Sequence, residues 1–288
     1  MARKLAHADK DAAQAAVPAH APRVIAHKFG GTSVADAARY RHVAQLLLDR
    51  PETVQVTVVS AMKGVTDALI ALAEGAAANA PDWRARLAAL AERHRTAARE
   101  LLGAHADAVL AWLDGQFSEL ADVLHALSVL GTPPREALER VQGLGEVYSA
   151  RLLAAHLAER GEAVACLDAR EVLMVGADEL GVTVDWPASA ARLAAWRAAH
   201  PQPRVVVTGF VARSADGRPT TLGRNGSDYS GAIFANLFEA EELHIWTDVD
   251  GVLSADPRLV PDAVPLAALS YDEACELAYF GAKVVHPQ

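Results

Sequence analysis

The chain reads RVIAHKFGGTS over residues 23–33, a short apolar stretch that runs through Lys28 into two glycines. The apolar part predicts a β-strand, and apolar positions at helical spacing over residues 36–49 predict a helix behind the glycines. Gly30 and Gly31 let a ligand approach backbone N–H groups, and the N-terminus of the next helix favours an anion. With the positive charge of Lys28, the segment predicts an anion site. A plain tight turn is the alternative interpretation.

The same unit of strand, glycine loop and helix recurs along the chain. Residues 53–60 are rich in β-branched residues and predict a buried strand, which the loop SAMKG (60–64) follows before a helix expected from Thr66 or Asp67. A third glycine loop, GRNGSD (223–228), opens a helix predicted over residues 228–238. Strands alternating with helices are typical of a parallel α/β sheet. Three glycine loops at helix N-termini predict a polyanionic ligand held from several sides.

The third loop carries three candidate site residues. Arg224 presents a planar fork that suits a carboxylate. Both other residues also have a purely structural interpretation. Ser227 could be the N-cap of the helix, and the negative charge of Asp228 in the first turn could simply be stabilised by the helix dipole. Further along, Asp248 and Asp250 follow a predicted strand over 243–247, where carboxylates can receive Mg²⁺ water or nucleotide hydroxyls. An ordinary Asp-Gly turn is enough to explain Asp250.

The rest of the chain supplies architecture in this interpretation. Residues 1–22 are Ala-rich with two prolines and predict a mobile tail. Residues 82–160 predict four or five helices, with breaks at Gly103, at Gly131 and at 143–145. The remaining predicted elements are strands at 162–167 and 204–211, a hairpin turn at Asp216-Gly217 and a helix at 271–280.

Composition excludes several classes of protein. With 52% hydrophobic residues the 288-residue chain is not disordered, and a net charge of −9 argues against a general nucleic-acid binder. The two cysteines, Cys166 and Cys275, cannot form a disulfide framework and are expected in the core. No apolar run is long enough to span a membrane, so a cytoplasmic protein is expected. The chain lacks a Walker A loop, a GxGxxG loop, a nucleophile elbow and zinc-ligand spacing.

Arginine greatly outnumbers lysine among the basic residues. Only five of the 27 are lysines, and three of these, Lys28, Lys63 and Lys283, lie in short glycine-containing segments. An ammonium suits single phosphate oxygens, whereas Arg forms a planar fork. A lysine retained in an Arg-rich chain therefore suggests a phosphate contact, although a codon bias explains the scarcity of Lys as well.

Seven segments in this order resemble the aspartokinase family: KFGGTS (28–33), SAMKG (60–64), GE-x-x-S (145–149), GRNGSDYS (223–230), TDVDG (247–251), DPR (256–258) and FGAKVVHP (280–287). The resemblance extends over residues 23–288 and is strongest to the kinase portion of bifunctional aspartokinase–homoserine dehydrogenases. It implies an α/β protein with the amino-acid-kinase (carbamate-kinase-like) fold, an open, mainly parallel sheet between helical layers in two lobes. Residues of about 23–210 would bind the amino acid and about 211–288 the nucleotide.

The resemblance also implies an activity. L-aspartate and Mg-ATP would give 4-phospho-L-aspartate and ADP, the first step toward lysine, threonine and methionine. Because the chain ends just after an apolar Val284-Val285, we expect it to be a fragment that lacks regulatory ACT domains and a second enzyme domain. That second domain would be the dehydrogenase or a partner such as diaminopimelate decarboxylase. The full-length protein would be a homodimer or larger, with no nucleic-acid or membrane partner.

Roles are carried over by motif position. Lys28 resembles the catalytic lysine that bridges the phosphates, and Asp228 the residue that orders the catalytic groups. The implied aspartate site is Ser60, Thr66, Glu146, Arg224 and Ser227, with Glu146 taking the α-ammonium and Arg224 a carboxylate. The implied nucleotide contacts are Lys28, Gly30, Gly31, Thr32, Ser33, Thr247, Asp248, Arg258 and Lys283. No side chain is assigned as a direct metal ligand.

Two alternatives stay open. One is a kinase of the same fold that acts on glutamate, N-acetylglutamate, carbamate or UMP, although GRNGSDYS together with FGAKVVHP favours aspartate. The other is a catalytically weak subunit with a regulatory or structural role. Leu253 stands where many relatives have a tyrosine near the nucleotide, so adenine stacking, and with it ATP affinity, is in question.

Overall fold

The computed structural model describes residues 23–50, 54–178, 181–223, 226–247, 251–255, 260 and 262–279. The predicted tail (1–22) lies outside these residues, as do Arg224, Asp248, Arg258 and Lys283. The strands are β1 (Val24–Phe29), β2 (Val54–Val59), β3 (Val164–Leu167), β4 (Met174–Asp178), β5 (Gly181–Val184), β6 (Arg204–Thr208), β7 (Val211–Ser214), β8 (Pro219–Thr221) and β9 (Glu242–Trp246).

The strands form two sheets. The larger has the order β3-β6-β2-β1-β9, and each of its neighbouring pairs is parallel. The smaller has the order β5-β4-β7-β8 and is mixed. The predicted hairpin at Asp216-Gly217 is confirmed, because β7 and β8 pair antiparallel across it.

Helices cover both faces of the larger sheet. The α-helices of the described residues are α1 (Ala37–Leu48), α2 (Val65–Ala77), α3 (Trp83–Leu102), α4 (Asp107–Leu130), α5 (Arg135–Gln142), α6 (Leu144–Glu159), α7 (Ala169–Val172), α8 (Trp186–Ala199), α9 (Gly226–Leu237) and α10 (Tyr271–Tyr279). One core joins α1, α2, α3, α4 and α6 to one sheet face, and a second joins α7, α8 and α9 to the other. The expected α/β class, a mainly parallel sheet between helical layers, is confirmed.

Local chemistry explains where α1 begins. Its buried positions, from Ala37 to Leu47, recur at helical spacing. The side chain of Asp36 accepts a hydrogen bond from the backbone N–H of Arg39, which caps the first turn. The predicted helix over 36–49 is therefore confirmed within a residue at each end.

Two predictions of local structure were wrong. The strand predicted over 204–211 is split, because β6 ends at Thr208, β7 starts at Val211 in the other sheet, and Phe210 between them has a φ of +66°. The helix break predicted at 143–145 is shorter than expected, since α6 begins at Leu144 and includes Gly145. That glycine is there for packing, because a Cβ on it would lie 2.6 Å from the Cβ of Ala61.

Sequence reasoning also missed a stretch of structure. Nothing was predicted for α7, β4, β5 and α8, which supply two of the four strands of the smaller sheet and two helices that pack on the second core. Within the part of the chain that the structure describes, none of the helices is both long and apolar enough to cross a membrane.

Candidate functional site

The carboxyl ends of the five parallel strands lie at one edge of the larger sheet. Phe29 at the end of β1 is level with Val59 on one side and with Trp246 on the other. The glycine loop after β1 therefore lies between Ser60, which follows β2, and Thr247, which follows β9. In open parallel sheets, ligands bind in the crevice outside the carboxyl ends of the strands.

The two glycine loops after β1 and β2 are bonded to each other. The backbone N–H of Ser60 donates to the carbonyl of Phe29 at 3.1 Å, and that of Lys63 donates to the carbonyl of Gly31 at 3.1 Å. A Cβ on Gly31 would lie 2.8 Å from the carbonyl oxygen of Ala61, so no other residue fits at this contact. Gly31 is thus explained by the approach of a neighbouring loop, a cause that the sequence did not reveal.

Arg93 fixes the same two loops from α3. Its guanidinium donates to the carbonyl of Ala35 at 3.1 Å and to that of Lys63 at 2.9 Å. Sequence reasoning missed Arg93, because it lies in the middle of a helical stretch with no motif around it. The side chain of Lys63 itself is exposed beside the loop.

Among the described residues of the site, Lys28 is a buried cation. It is only 7% exposed, and its ammonium forms an ion pair with the carboxylate of Asp228 in the first turn of α9. A Cβ on Gly30 would lie 3.6 Å from the Nζ of Lys28, which places the ammonium against the glycine loop. On the other side, a Cβ on Gly231 would lie 3.0 Å from the Cβ of Lys28 and 3.2 Å from its Cγ. The lysine therefore lies between the first glycine loop and α9, and the missing side chain of Gly231 makes room for it on the helix side.

The N-terminal turn of α9 contacts the end of β6. A Cβ on Gly209 would lie 3.4 Å from the Cβ and Oγ of Ser227 and 2.9 Å from the carbonyl oxygen of Val59. Because α9 begins at Gly226, Ser227 lies inside the first turn rather than at the cap position. Ser227 and Asp228 are both half-buried at the carboxyl end of the sheet.

Glu146 is a buried carboxyl group on α6. It is 3% exposed and accepts a hydrogen bond from the backbone N–H of Ala61, while its Oε2 has no partner among the described residues. Burial raises the pKa of Glu146 to about 8, against the smaller lowering by the Ala61 N–H. Ala61 also touches Gly31, so the contacts connect Glu146 with the loop beside Lys28. An orphaned buried oxygen of this kind suits a cationic or hydrogen-bond-donating ligand group.

Of the remaining candidate residues, four are described by the structure and four are not. Thr66 is half-buried in the first turn of α2, which follows Gly64 with its φ of +77°, and Thr247 is exposed beyond β9. Thr32 and Ser33 are half-buried in the first loop, where the N–H of Ser33 donates to the carbonyl of Gly30 at 2.9 Å. Arg224, Asp248, Arg258 and Lys283 lie outside the described residues, so their roles stay predictions.

Four further residues that were named from the sequence have structural roles or lie outside the described residues. Ser149 in the GE-x-x-S segment is fully buried and accepts a hydrogen bond from the hydroxyl of Tyr40 at 2.8 Å. Cys166 packs against the first core, as predicted, and burial raises the pKa of its thiol to about 12. The side chain of Cys275 is outside the described set. Leu253 pairs with Pro265 in an isolated antiparallel bridge and is half-buried.

The arrangement is suited to charge stabilisation. An ammonium, two glycine loops and the N-termini of α2 and α9 converge at the carboxyl edge of the sheet, a setting that favours a phosphorylated ligand. Among the described residues there is no group of three or more His, Cys, Asp or Glu side chains placed to hold a metal ion.

Comparison with known proteins identifies the class. The sequence matches the Amino acid kinase family over residues 23–288. Since this is most of the chain, the protein belongs to the amino acid kinase family.

Individual relatives narrow the similarity to aspartokinases. The chain is 40% identical over 264 residues to the chloroplastic bifunctional aspartokinase/homoserine dehydrogenase 2 of Arabidopsis thaliana, a match covering 91% of this chain and 29% of that protein. It is 35% identical over 274 residues to the bifunctional aspartokinase/homoserine dehydrogenase of Haemophilus influenzae, covering 91% and 32%. The crystal structure of E. coli aspartokinase III in complex with aspartate and ADP matches with a TM-score of 0.82 and 31% identity, over 92% of this chain and 58% of that one.

The matches are partial on the relatives' side. The chain spans about a third or less of the two bifunctional proteins and 58% of aspartokinase III. The similarity therefore concerns one part of those longer proteins.

Proposed function

We propose that this chain is the catalytic part of an aspartate kinase, which transfers the γ-phosphoryl group of ATP to the side-chain carboxylate of L-aspartate. The observation that carries the proposal is the Lys28–Asp228 ion pair, held between a glycine loop and a helix N-terminus at the carboxyl edge of a parallel sheet. The choice of substrates is supported by the names of the relatives and by the aspartate and ADP in complex with E. coli aspartokinase III.

The reaction requires charge neutralisation more than proton transfer. A free aspartate side chain has a reference pKa of about 3.9, so the nucleophile is ionised at neutral pH and needs no general base. What opposes the reaction is repulsion between this carboxylate and the triphosphate. Lys28 and the backbone N–H groups of the glycine loops offset that repulsion, and catalysis consists of positioning and electrostatic stabilisation of an in-line transfer.

The residues around Lys28 fit a triphosphate. The ammonium lies against Gly30, and Thr32 and Ser33 leave partly exposed groups in the same loop. Mg²⁺ enters with ATP as part of the substrate and supplies further neutralisation of the phosphate oxygens. Asp228 holds the ammonium of Lys28 in place and thereby orders the reacting groups. We assign Thr247, Asp248, Arg258 and Lys283 to the nucleotide, of which only Thr247 is among the described residues.

The aspartate site is proposed on the other side of the loops. The buried Oε2 of Glu146 lacks a hydrogen-bond partner among the described residues, and the α-ammonium of aspartate would supply one. Arg224 would take a carboxylate, and Ser60, Thr66 and Ser227 would complete the site. The predicted lobes, about 23–210 for the amino acid and about 211–288 for the nucleotide, both contribute to this site, because Arg224 and Ser227 belong to the second part. The two parts also share the larger sheet, in which β9 pairs directly with β1.

The physiological setting is also part of the proposal. The activity would be the first step toward lysine, threonine and methionine, in a cytoplasmic protein whose full-length form is a homodimer or larger. Any regulatory domains would lie outside this chain.

The test is an assay for aspartate-dependent ADP release with Mg-ATP, in which hydroxylamine traps the acyl phosphate as a hydroxamate. We expect ADP release and hydroxamate with aspartate, and no acceptor-dependent ADP release with glutamate, N-acetylglutamate, carbamate or UMP. Turnover with one of the other acceptors and none with aspartate would assign a different member of the family. Mg-ATP binding without turnover on any acceptor would favour the catalytically weak subunit.

A further inference from the structure

Ser230 joins two elements that approach the proposed site from different directions. Its side chain is fully buried, and its hydroxyl donates to the carbonyl of Gly226 at 2.7 Å. The same oxygen accepts a hydrogen bond from the backbone N–H of Phe210 at 2.7 Å. A serine within a helix often bonds back to the carbonyl four residues earlier, but the second bond here reaches out of the helix.

The backbone at Phe210, whose N–H donates this second hydrogen bond, is strained. Phe210 has a φ of +66°, in the left-handed region that a bulky residue adopts only at a cost in free energy. It lies where the chain leaves β6 in the larger sheet and enters β7 in the smaller one. Just before it, the N–H of Gly209 donates to the carbonyl of Val59 at 2.9 Å, which ties this crossover to the end of β2. Because Phe210 lies between β6 and β7, its N–H is outside both strands, and the Ser230 hydroxyl accepts its hydrogen bond.

The first turns of α9 carry both contacts to Lys28. Asp228 pairs with the ammonium, and Gly231 packs against the aliphatic part of the same side chain. Ser230 lies between them in sequence, and its two bonds fix this part of α9 against the end of β6. Ser227, in the same turn, also rests on Gly209.

We propose that Ser230 is a positioning residue, which sets the place of Asp228, and through it Lys28, by bonding the first turn of α9 to the crossover at Phe210. The inference rests on the proposed kinase function. Ser230 is fully buried and bonded within the protein, so its proposed contribution is the geometry of the ion pair and not a contact with substrate. Misplacement of reacting groups by about 1 Å can cost about 100-fold in rate, so a lost hydrogen bond here affects turnover more than substrate binding.

The chain contains a matched control for a purely structural role. Ser189 on α8 is also fully buried, and its hydroxyl accepts from the N–H of Met174 at 2.9 Å. It therefore performs the same task, satisfying a strand-end amide from a neighbouring helix, in the part of the fold around the smaller sheet. None of the contacts described for Ser189 involves Lys28, Asp228 or the glycine loops.

The experiment compares Ser230→Ala, Ser230→Thr and Ser189→Ala in the hydroxamate assay, together with amide hydrogen exchange of each variant. We expect Ser230→Ala to lower kcat at least about tenfold, with KM for aspartate and ATP within about twofold of the wild type. Ser230→Thr keeps the hydroxyl and should recover most of kcat. Ser189→Ala should keep a wild-type kcat, even if its Tm falls as far as that of Ser230→Ala.

Hydrogen exchange tests the positioning without using turnover. In Ser230→Ala, protection should fall at Phe210 and over residues 226–231, while the same amides in Ser189→Ala stay protected. An unchanged exchange pattern at Phe210, or a wild-type kcat in folded Ser230→Ala, would overturn the inference. So would an equal loss of kcat in Ser189→Ala. If the wild type itself shows no aspartate-dependent turnover, the proposed function fails, and the exchange comparison still decides whether Ser230 positions α9.

Discussion

The ammonium of Lys28 at the end of β1 is paired with the carboxylate of Asp228 in the first turn of α9. Only 9% of the Lys28 side chain and 25% of the Asp228 side chain are exposed, so the pair is largely shielded from water. Burying two charges costs free energy that their mutual attraction repays only in part. A buried ion pair of this kind adds little net stability to the fold, but it fixes the position of the Lys28 ammonium for a ligand.

The first prediction concerns the charge of Lys28. Lys28→Ala should abolish phosphoryl transfer, with kcat reduced by at least about 100-fold, because the ammonium is proposed to stabilise charge on the transferred phosphoryl group. The fold should persist, since Asp228 keeps partial access to water when its partner is removed. The measurement is the hydroxamate assay, alongside circular dichroism to confirm folding.

A charge-matched control separates this effect from a change in net charge. Arg39→Ala removes one positive charge from the exposed face of α1 and should retain wild-type kcat. Unchanged turnover in folded Lys28→Ala would remove Lys28 from the catalytic role.

The second prediction concerns Asp228. Asp228→Asn keeps the size of the side chain but removes the negative charge that faces Lys28. We expect kcat to fall by at least about tenfold, because the ammonium is no longer held in place. KM for ATP should stay the same or fall, because a carboxylate near the triphosphate has been removed. Steady-state kinetics at varied ATP measures the two effects separately, and a higher KM with normal kcat would contradict the assigned role.

Much of this arrangement could be predicted from the sequence, for a simple reason. The glycine loops and the buried strands leave local signals, so the order of elements around Lys28, Ser60 and Asp228 followed from period and loop chemistry. The resemblance to aspartokinases then supplied the roles. Glu146 could be named in that way, but its burial and orphaned oxygen could not be predicted.

What could not be predicted depends on contacts between distant parts of the chain. The left-handed turn at Phe210 splits a stretch that reads as one strand, and its backbone groups bond to the Ser230 hydroxyl and to the N–H of Leu222. Arg93 lies in a helix without a motif, yet it bonds two loops of the site. Gly145 resembled a helix break, whereas it admits Ala61 to the surface of α6. In each case the deciding partner is remote in sequence.

The third prediction uses the packing of Gly231. In Gly231→Ala the new methyl group would lie 3.0 Å from the Cβ of Lys28, closer than ordinary contact, so the lysine or the helix must shift. We expect kcat to fall by about tenfold or more while the protein remains folded. A crystal structure or the chemical shift of the Lys28 side chain would show the displacement.

Gly115 offers the matching control on α4. A Cβ there meets no atom within 4 Å, so Gly115→Ala should raise stability by about 0.5–1 kcal/mol through the helix preference for alanine and leave kcat unchanged. If Gly231→Ala behaves like Gly115→Ala in both respects, the close packing against Lys28 has no functional consequence.

The fourth prediction follows from the buried carboxyl group of Glu146. Its pKa is raised to about 8 by burial, above its ordinary value of 4.5, so the folded protein holds a proton that the unfolded chain releases between these two values. The resulting stability is fully present below about pH 4.5 and is lost as the pH rises through 8. Glu146→Gln carries no such proton. Its stability relative to the wild type should therefore increase with pH over this window, by an amount on the order of a few kcal/mol.

Urea unfolding of both proteins at about pH 5, 7 and 9 measures the difference, with Glu74→Gln on the exposed face of α2 as the control that should show no such trend. Aspartate gives a second arm of the same experiment. If its ammonium pairs with the Glu146 carboxylate, aspartate should stabilise the wild type more at about pH 9 than at about pH 6, and should stabilise Glu146→Gln little at either. A pH-independent stability difference between the two proteins would mean that Glu146 is ionised in the empty site. Equal stabilisation of the wild type and Glu146→Gln by aspartate would mean that the ammonium of aspartate binds elsewhere.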